Sequence, residues 1–149
     1  MSTTDPAYHG VGAVLLLLRQ TLEGSGLECS PYIIDHTGNT PGHLIEDTFS
    51  LAYSSRNAGT YRDVTPMRMV HTVTVTTVGR LNGSDSFSDT VRLAAKSEDL
   101  VRAVHLQSRT GEVRVRVETI DPALSPTREF LITRIAFTVE HDWYGEPLE

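Results

Sequence analysis

GEVRVRVETIDPALSPTREFLITRIAFTVEHDWY, residues 111–144, holds the clearest periodicity in the chain. Val113, Val115 and Val117 alternate with Glu112, Arg114, Arg116 and Glu118. A period of two sends successive side chains to opposite faces, so this stretch reads as a strand with one apolar face and one mixed-charge face in water. From Glu129 to Asp142 the pattern changes: Phe130 and Ile132 point one way, and Leu131, Ile135, Phe137 and Val139 the other. Apolar groups on both faces place that strand in the middle of a sheet, or under cover on both sides. The connection Asp121-Pro122-Ala123-Leu124-Ser125-Pro126 is expected to interrupt the ladder, because proline has no N–H to donate. Together the two strands predict a long hairpin.

Working outward from this hairpin, Ser84 to Ser88 offer caps for a helix reaching about Leu106, buried through Leu93, Ala94, Leu100, Val101 and Val104. Ser97-Glu98-Asp99 could restart that helix after a break. Asn82-Gly83 marks the turn before it, and Met67 to Val78, rich in valine and threonine, reads as a strand with Met69, Val73 and Val75 on one face. Ser54 to Pro66 is polar and reads as a loop longer than connections inside compact domains usually are. His43 to Ser54 reads as another strand, with Ile45, Phe49, Leu51 and Tyr53 on one side.

Between Leu27 and Gly42, Pro31, Gly38-Asn39 and Pro41-Gly42 leave room for only a short strand at Tyr32 to Ile34. The chain opens with a helix capped by Asp5-Pro6, running to about Glu23 and stopped by Gly24-Ser25-Gly26, with Val11, Val14, Leu15, Leu18 and Leu22 at helical spacing. The expected fold is therefore α+β. It is one domain over residues 1–149, a mostly antiparallel sheet of four to five strands packed with two helices, with 1–5 and 145–149 flexible.

Composition narrows the function classes. A hydrophobic content of 39% over 149 residues supports one folded core, and a formal charge of -6 argues against general nucleic-acid binding, which needs a basic face. Cys29 is the only cysteine, so no internal disulfide can form and a thiolate zinc site has no second thiol. Val14 to Leu18 is too short to span a bilayer, and Asp5 is the only charge before Arg19, unlike the basic flank of a secretory signal. A soluble, unsecreted protein is expected.

Catalytic motifs do not assemble. His36 and His43 flank a glycine-containing loop beside Asp35, but their spacing matches no metal motif and solvated loop histidines account for them. Ser84, Asp85 and His105 could be combined on paper into a hydrolase triad, yet no serine lies in a Gly-Xaa-Ser-Xaa-Gly elbow. Gly10-Val11-Gly12 follows no strand and has no third glycine in register, which excludes a dinucleotide loop. Cys29 reads as a small semi-buried hydrophobe. No catalytic, cofactor or metal residue is assigned.

What remains are candidate contact residues. Arg114 and Arg116 form either a solvated ladder or part of a protein interface, where arginine is enriched. Trp143 and Tyr144 fit a packed terminus and an interface anchor equally. Arg56, Tyr61, Arg62 and Asp63 give the polar loop charge and an aromatic anchor, with little apolar surface for it to bury.

The element order, ending in Ile132–Tyr144 as ITRIAFTVEHDWY, resembles the tail terminator proteins of long-tailed bacteriophages over about Val11 to Tyr144. The resemblance implies an α+β subunit of a virion ring, typically a hexamer, assembled in the host cytoplasm. Such a ring caps the head-proximal end of the tail tube, stops its growth and presents a head-docking interface. Implied partners are the tail tube protein and head-completion or connector proteins; genome DNA would pass through without sequence-specific binding, and no membrane or cofactor is implied. The alternatives are another connector, neck or tube subunit and, in a different class, a small hydrolase or ligand-binding domain. Purified protein is expected to hold no stoichiometric zinc. Elemental analysis finding about one zinc per chain, lost on replacing His36 and His43, overturns that expectation.

Overall fold

The computed structural model describes residues 11–37, 44–57, 68–82, 85–108 and 114–142. In chain order these form α1 (Val11–Gly24), β1 (Glu28–Cys29), β2 (Thr48–Asn57), β3 (Arg68–Arg80), α2 (Ser86–Ser108), β4 (Arg114–Leu124) and β5 (Phe130–Asp142). The strands make one sheet in the order β1-β2-β3-β5-β4. Every pairing is antiparallel except β1 with β2. This is the α+β class read from the sequence, with the doubly apolar strand β5 inside the sheet.

Both helices pack on one face. Val73 lies opposite Phe137 and Val75 opposite Ile135, and these side chains meet Val14, Leu18 and Leu22 of α1 and Leu100 and Val104 of α2 in the main core. Spacings of three and four residues put each helical set on one stripe, so burying it is the main stabilising term available to either helix. Gly79, on the same face of β3, lets α2 come close: a Cβ there would lie 2.5 Å from Leu93 Cδ2.

Local chemistry sets the helix ends. Gly26 takes φ 95, while the Leu27 N–H donates to Leu22 O at 3.2 Å and the Gly26 N–H to Glu23 O at 3.1 Å. That closure stops α1, and Leu27 is buried beside it. Asp85 caps α2, accepting from the Phe87 N–H at 3.1 Å and the Ser88 hydroxyl at 2.7 Å.

Several expectations are corrected. The short strand is β1 at Glu28–Cys29, whereas Tyr32 and Ile33 are exposed and outside any strand. Pro31 cannot continue the pairing, and the Tyr32 N–H turns back to Ser30 Oγ at 3.2 Å. Ile45 precedes β2 and is exposed, because Asp47 at φ 59 breaks the extended phase. Ser54 to Asn57 belong to β2, held by pairing with Thr72 to Met69, so the expected polar loop is strand in its first four residues. The remainder, 58–66, lies outside the described residues.

Helix α2 runs unbroken through Ser97-Glu98-Asp99: the buried Ser97 hydroxyl donates to Leu93 O at 3.1 Å, which satisfies it within the helix. Ala94 faces out, since α2 turns its Leu93 and Ser97 side inward. Pro122 sits within β4 opposite Thr133 instead of ending it. β4 is an edge strand, and a proline is tolerated there when its nitrogen faces away from the ladder. Cys29 is exposed rather than semi-buried.

On the opposite face of the sheet, the described residues outside the strands provide cover at one end. Ile34 and Leu44 pack there on Val78, Ile132 and Phe130. The strap is pinned across the sheet, with the Ile34 N–H on Ser50 Oγ at 3.0 Å and His36 Nε2 3.0 Å from Asp121 O. Toward the other end this face carries Ala52, Ser54, Thr72, Thr74, Ala136 and Thr138, which are exposed or half-buried, and then Val70, which is buried.

Thermal melts are expected to rank three substitutions. Phe137→Asp buries an unpaired charge in the core and costs several kcal/mol, as a rough figure. Gly79→Ala pushes Leu93 aside and costs about 1 to 3 kcal/mol. Arg116→Ala, at an exposed position, changes stability by less than about 0.5 kcal/mol. A larger loss for Arg116→Ala than for Phe137→Asp contradicts the assigned strand faces.

Candidate functional site

The sequence candidates do not converge. Arg116 is exposed on β4 and pairs with Glu118, Nε to Oε1 at 3.0 Å. Arg114 opens β4 opposite Glu140, and Arg56 lies in β2 opposite Val70, at opposite flanks of the sheet; their side chains lie outside the described residues. Tyr61, Arg62, Asp63, Trp143 and Tyr144 also lie outside them. The proposed contact role of the loop therefore has no geometry here.

The enzyme-like sets come apart in space. Asp85 caps the start of α2 and His105 is in its last turn, about 30 Å apart at a rise of about 1.5 Å per residue. Ser84 and His43 lie outside the described residues. Asp35 is engaged by its own turn, accepting from the Thr37 N–H at 2.9 Å and the Thr37 hydroxyl at 2.8 Å, and His36 belongs to the strap under the sheet. Among the described residues no three His, Cys, Asp or Glu side chains could hold a metal ion, and no helix is long and apolar enough to cross a membrane.

One polar contact was not anticipated. Ser55 Oγ lies 2.6 Å from His71 Nδ1, and the two residues are register partners in β2 and β3. His71 is 3% exposed. A buried imidazole needs a hydrogen-bonding neighbour, and a directly opposite serine supplies one, so the contact serves the sheet. It was hidden in the sequence because Ser55 lay in a stretch read as loop.

The surfaces that stand out are the two flanks of the sheet. Beside β2, exposed Tyr32, Ile33 and Tyr53 join Leu15, Leu16 and Leu51 around an apolar groove of about 420 Å³. Between α2 and the β4–β5 ladder, exposed Ile120 borders a second groove of about 180 Å³ that Pro122, Leu131, Thr90 and Ala94 also line. Apolar side chains grouped in this way mark interaction surfaces more often than single exposed ones do.

The strands at these flanks differ in dress. β1 covers β2 only at Thr48 and Phe49, and Ser50 to Ser55 bring no charge to that edge before Arg56. β4 carries a β-bulge between Val117 and Thr119 and then Pro122, both of which obstruct a further strand. Glu118, at the bulge, accepts from the Thr138 hydroxyl at 2.9 Å and from Arg116.

Compared with protein-family models and with curated proteins, the sequence matches none.

The Glu118 carboxyl is held below its ordinary value of 4.5, first by the Thr138 hydroxyl and then by Arg116. A carboxylate whose folded pKa is depressed contributes stability that is present above the unfolded pKa and is lost as pH falls through the folded one. The Thr138→Val variant is expected to titrate Glu118 at higher pH than the wild type. Carboxyl NMR titration showing the same midpoint in both proteins contradicts the assigned hydrogen bond.

Proposed function

We propose that this chain is a structural subunit that closes with copies of itself into a ring, in the manner of a phage tail terminator. The observation that supports self-assembly is the pair of unlike flanks at opposite sides of one sheet, each with an outer strand that lacks a full neighbour among the described residues. Two different surfaces at opposite sides suit a head-to-tail contact, and such contacts close into rings when the rotation allows. Support for a terminator in particular comes from the element order and the style of the last strand.

On this reading the ring, a hexamer by analogy, sits in the virion at the head-proximal end of the tail tube. It stops tube growth by contact with the tube protein and offers its other side to head-completion proteins, with the genome passing through the centre. The contacts are complementarity of shape and strand edge and need no covalent chemistry. A tube subunit is the rival within the same class: its rings stack, whereas a terminator's do not.

The purified chain is expected to sediment as one discrete oligomer. Added to polymerising tail tube protein, it is expected to shorten the tubes and to appear as a single ring at one end in electron micrographs. Long stacks formed by this chain alone would make it a tube subunit, and unchanged tube lengths would overturn the terminator role.

A further inference from the structure

The hydrogen-bonding direction of each edge can be followed across the sheet. The Ser30 N–H donates to Phe49 O at 2.7 Å, so the backbone groups of Phe49 point to the outer edge of β2. Direction alternates along a strand, which turns Leu51, Tyr53 and Ser55 outward as well and Ala52 and Ser54 inward to β3. Tyr53 lies opposite Val73, Val73 opposite Phe137, and Phe137 opposite Val117. Hydrogen-bonded and non-hydrogen-bonded pairs alternate at each step of such a row, so the backbone groups of Val117 point outward from β4. The row from Ser55 through His71 and Val139 turns Val115 outward in the same way.

Among the described residues both edges are thus open at the same height. The row that starts at Phe49, where β1 already covers β2, ends through Thr77 and Thr133 at Pro122. Covered edge and obstructed edge share one end of the sheet, and the open stretches share the other. The four long strands also alternate in direction across the sheet. A neighbour set beside this subunit in the same orientation therefore presents β4 antiparallel to β2.

We propose that copies of this chain join edge to edge, the outward amides and carbonyls of Tyr53 and Ser55 in one copy bonding to those of Val117 and Val115 in the next. This rests on the ring reading and names the surfaces that meet. A rotation that closes a ring involves no slide along the ring axis, so open stretch meets open stretch when the strands run along that axis. Two narrow antiparallel pairs form, each exchanging both backbone hydrogen bonds. Tyr53, 54% exposed in the isolated chain, shares the face of Val115 and Val117 and is covered by them. One like-charged pair is opposed, at the end of the junction: Arg56 stands level with Arg114 through Val70 and Glu140, whereas Arg116 stands level with Ser54 through Thr72 and Thr138.

Ser54 and Arg116 provide the test. Their backbone groups point inward on both strands, so across the junction they form a non-hydrogen-bonded pair with Cα atoms about 4.5 Å apart, within reach of a disulfide. In a Cys29→Ser background, the oxidised Ser54→Cys/Arg116→Cys variant is expected to give a ladder of covalent multimers that ends at one size, with neither single variant cross-linking. Tyr53→Pro, which removes an outward N–H and leaves the ladder to β3 intact, is expected to abolish association while circular dichroism stays native. A native oligomer of the double variant that never cross-links, or one that survives Tyr53→Pro, overturns the edge contact and leaves the ring standing. Disulfide dimers from Ser54→Cys alone indicate two β2 edges meeting on a twofold axis and also overturn it. Sedimentation of the wild type as a monomer at every concentration overturns the edge contact and the ring together.

Discussion

Pairing of β5 on both sides is the constraint on which the rest depends. It hydrogen-bonds to β3 along its length and to β4 on the other flank, and it contributes Ile135, Phe137 and Val139 to the main core and Ile132 to the smaller one. A strand with apolar side chains on both faces cannot lie at an edge or under only one layer without leaving that surface in water. Two helices therefore cover one face, and the strap around Ile34 covers part of the other.

The strap divides the sheet into two unlike halves. At one end β1, the strap and Pro122 complete the edges and the lower face, and little backbone is left to bond. At the other end, among the described residues, the edges of β2 and β4 stay open, and the face carries Thr, Ser and Ala between the strap and the buried Val70, with the Arg116–Glu118 pair at its margin. Small hydroxyl side chains on a flat face tolerate water without exposing apolar area. The edges of this half, by contrast, still present unpaired donors and acceptors to a neighbouring chain.

If copies join as proposed, specificity lies in backbone geometry more than in individual side chains. Strand edges alone would pair with many partners; the bulge after Val117 and Pro122 limit how far along β4 a neighbour can extend. Apolar groups beside each edge, Tyr32, Ile33 and Tyr53 on one flank and Ile120 on the other, add area that water leaves when the flanks are covered. The candidate site is thus a pair of surfaces rather than a pocket, and the sequence accordingly carries no convergent set of polar residues.

The sequence by itself determined the α+β class, the helical stripes of α1 and α2 and the central place of β5, because periodicity records which side chains must be buried. It misread Pro122 as a break and Ser54 to Asn57 as loop, and it placed the short strand at Tyr32 to Ile34. In each case the outcome depended on a neighbour: Pro122 is tolerated because nothing pairs on its outer side, Ser54 to Asn57 are extended because β3 holds them, and Glu28–Cys29 pair because α1 ends where β2 begins. Hydropathy carries no information about backbone partners. The level at which two edges stay open is a property of register across four strands, and only the tertiary structure could decide it.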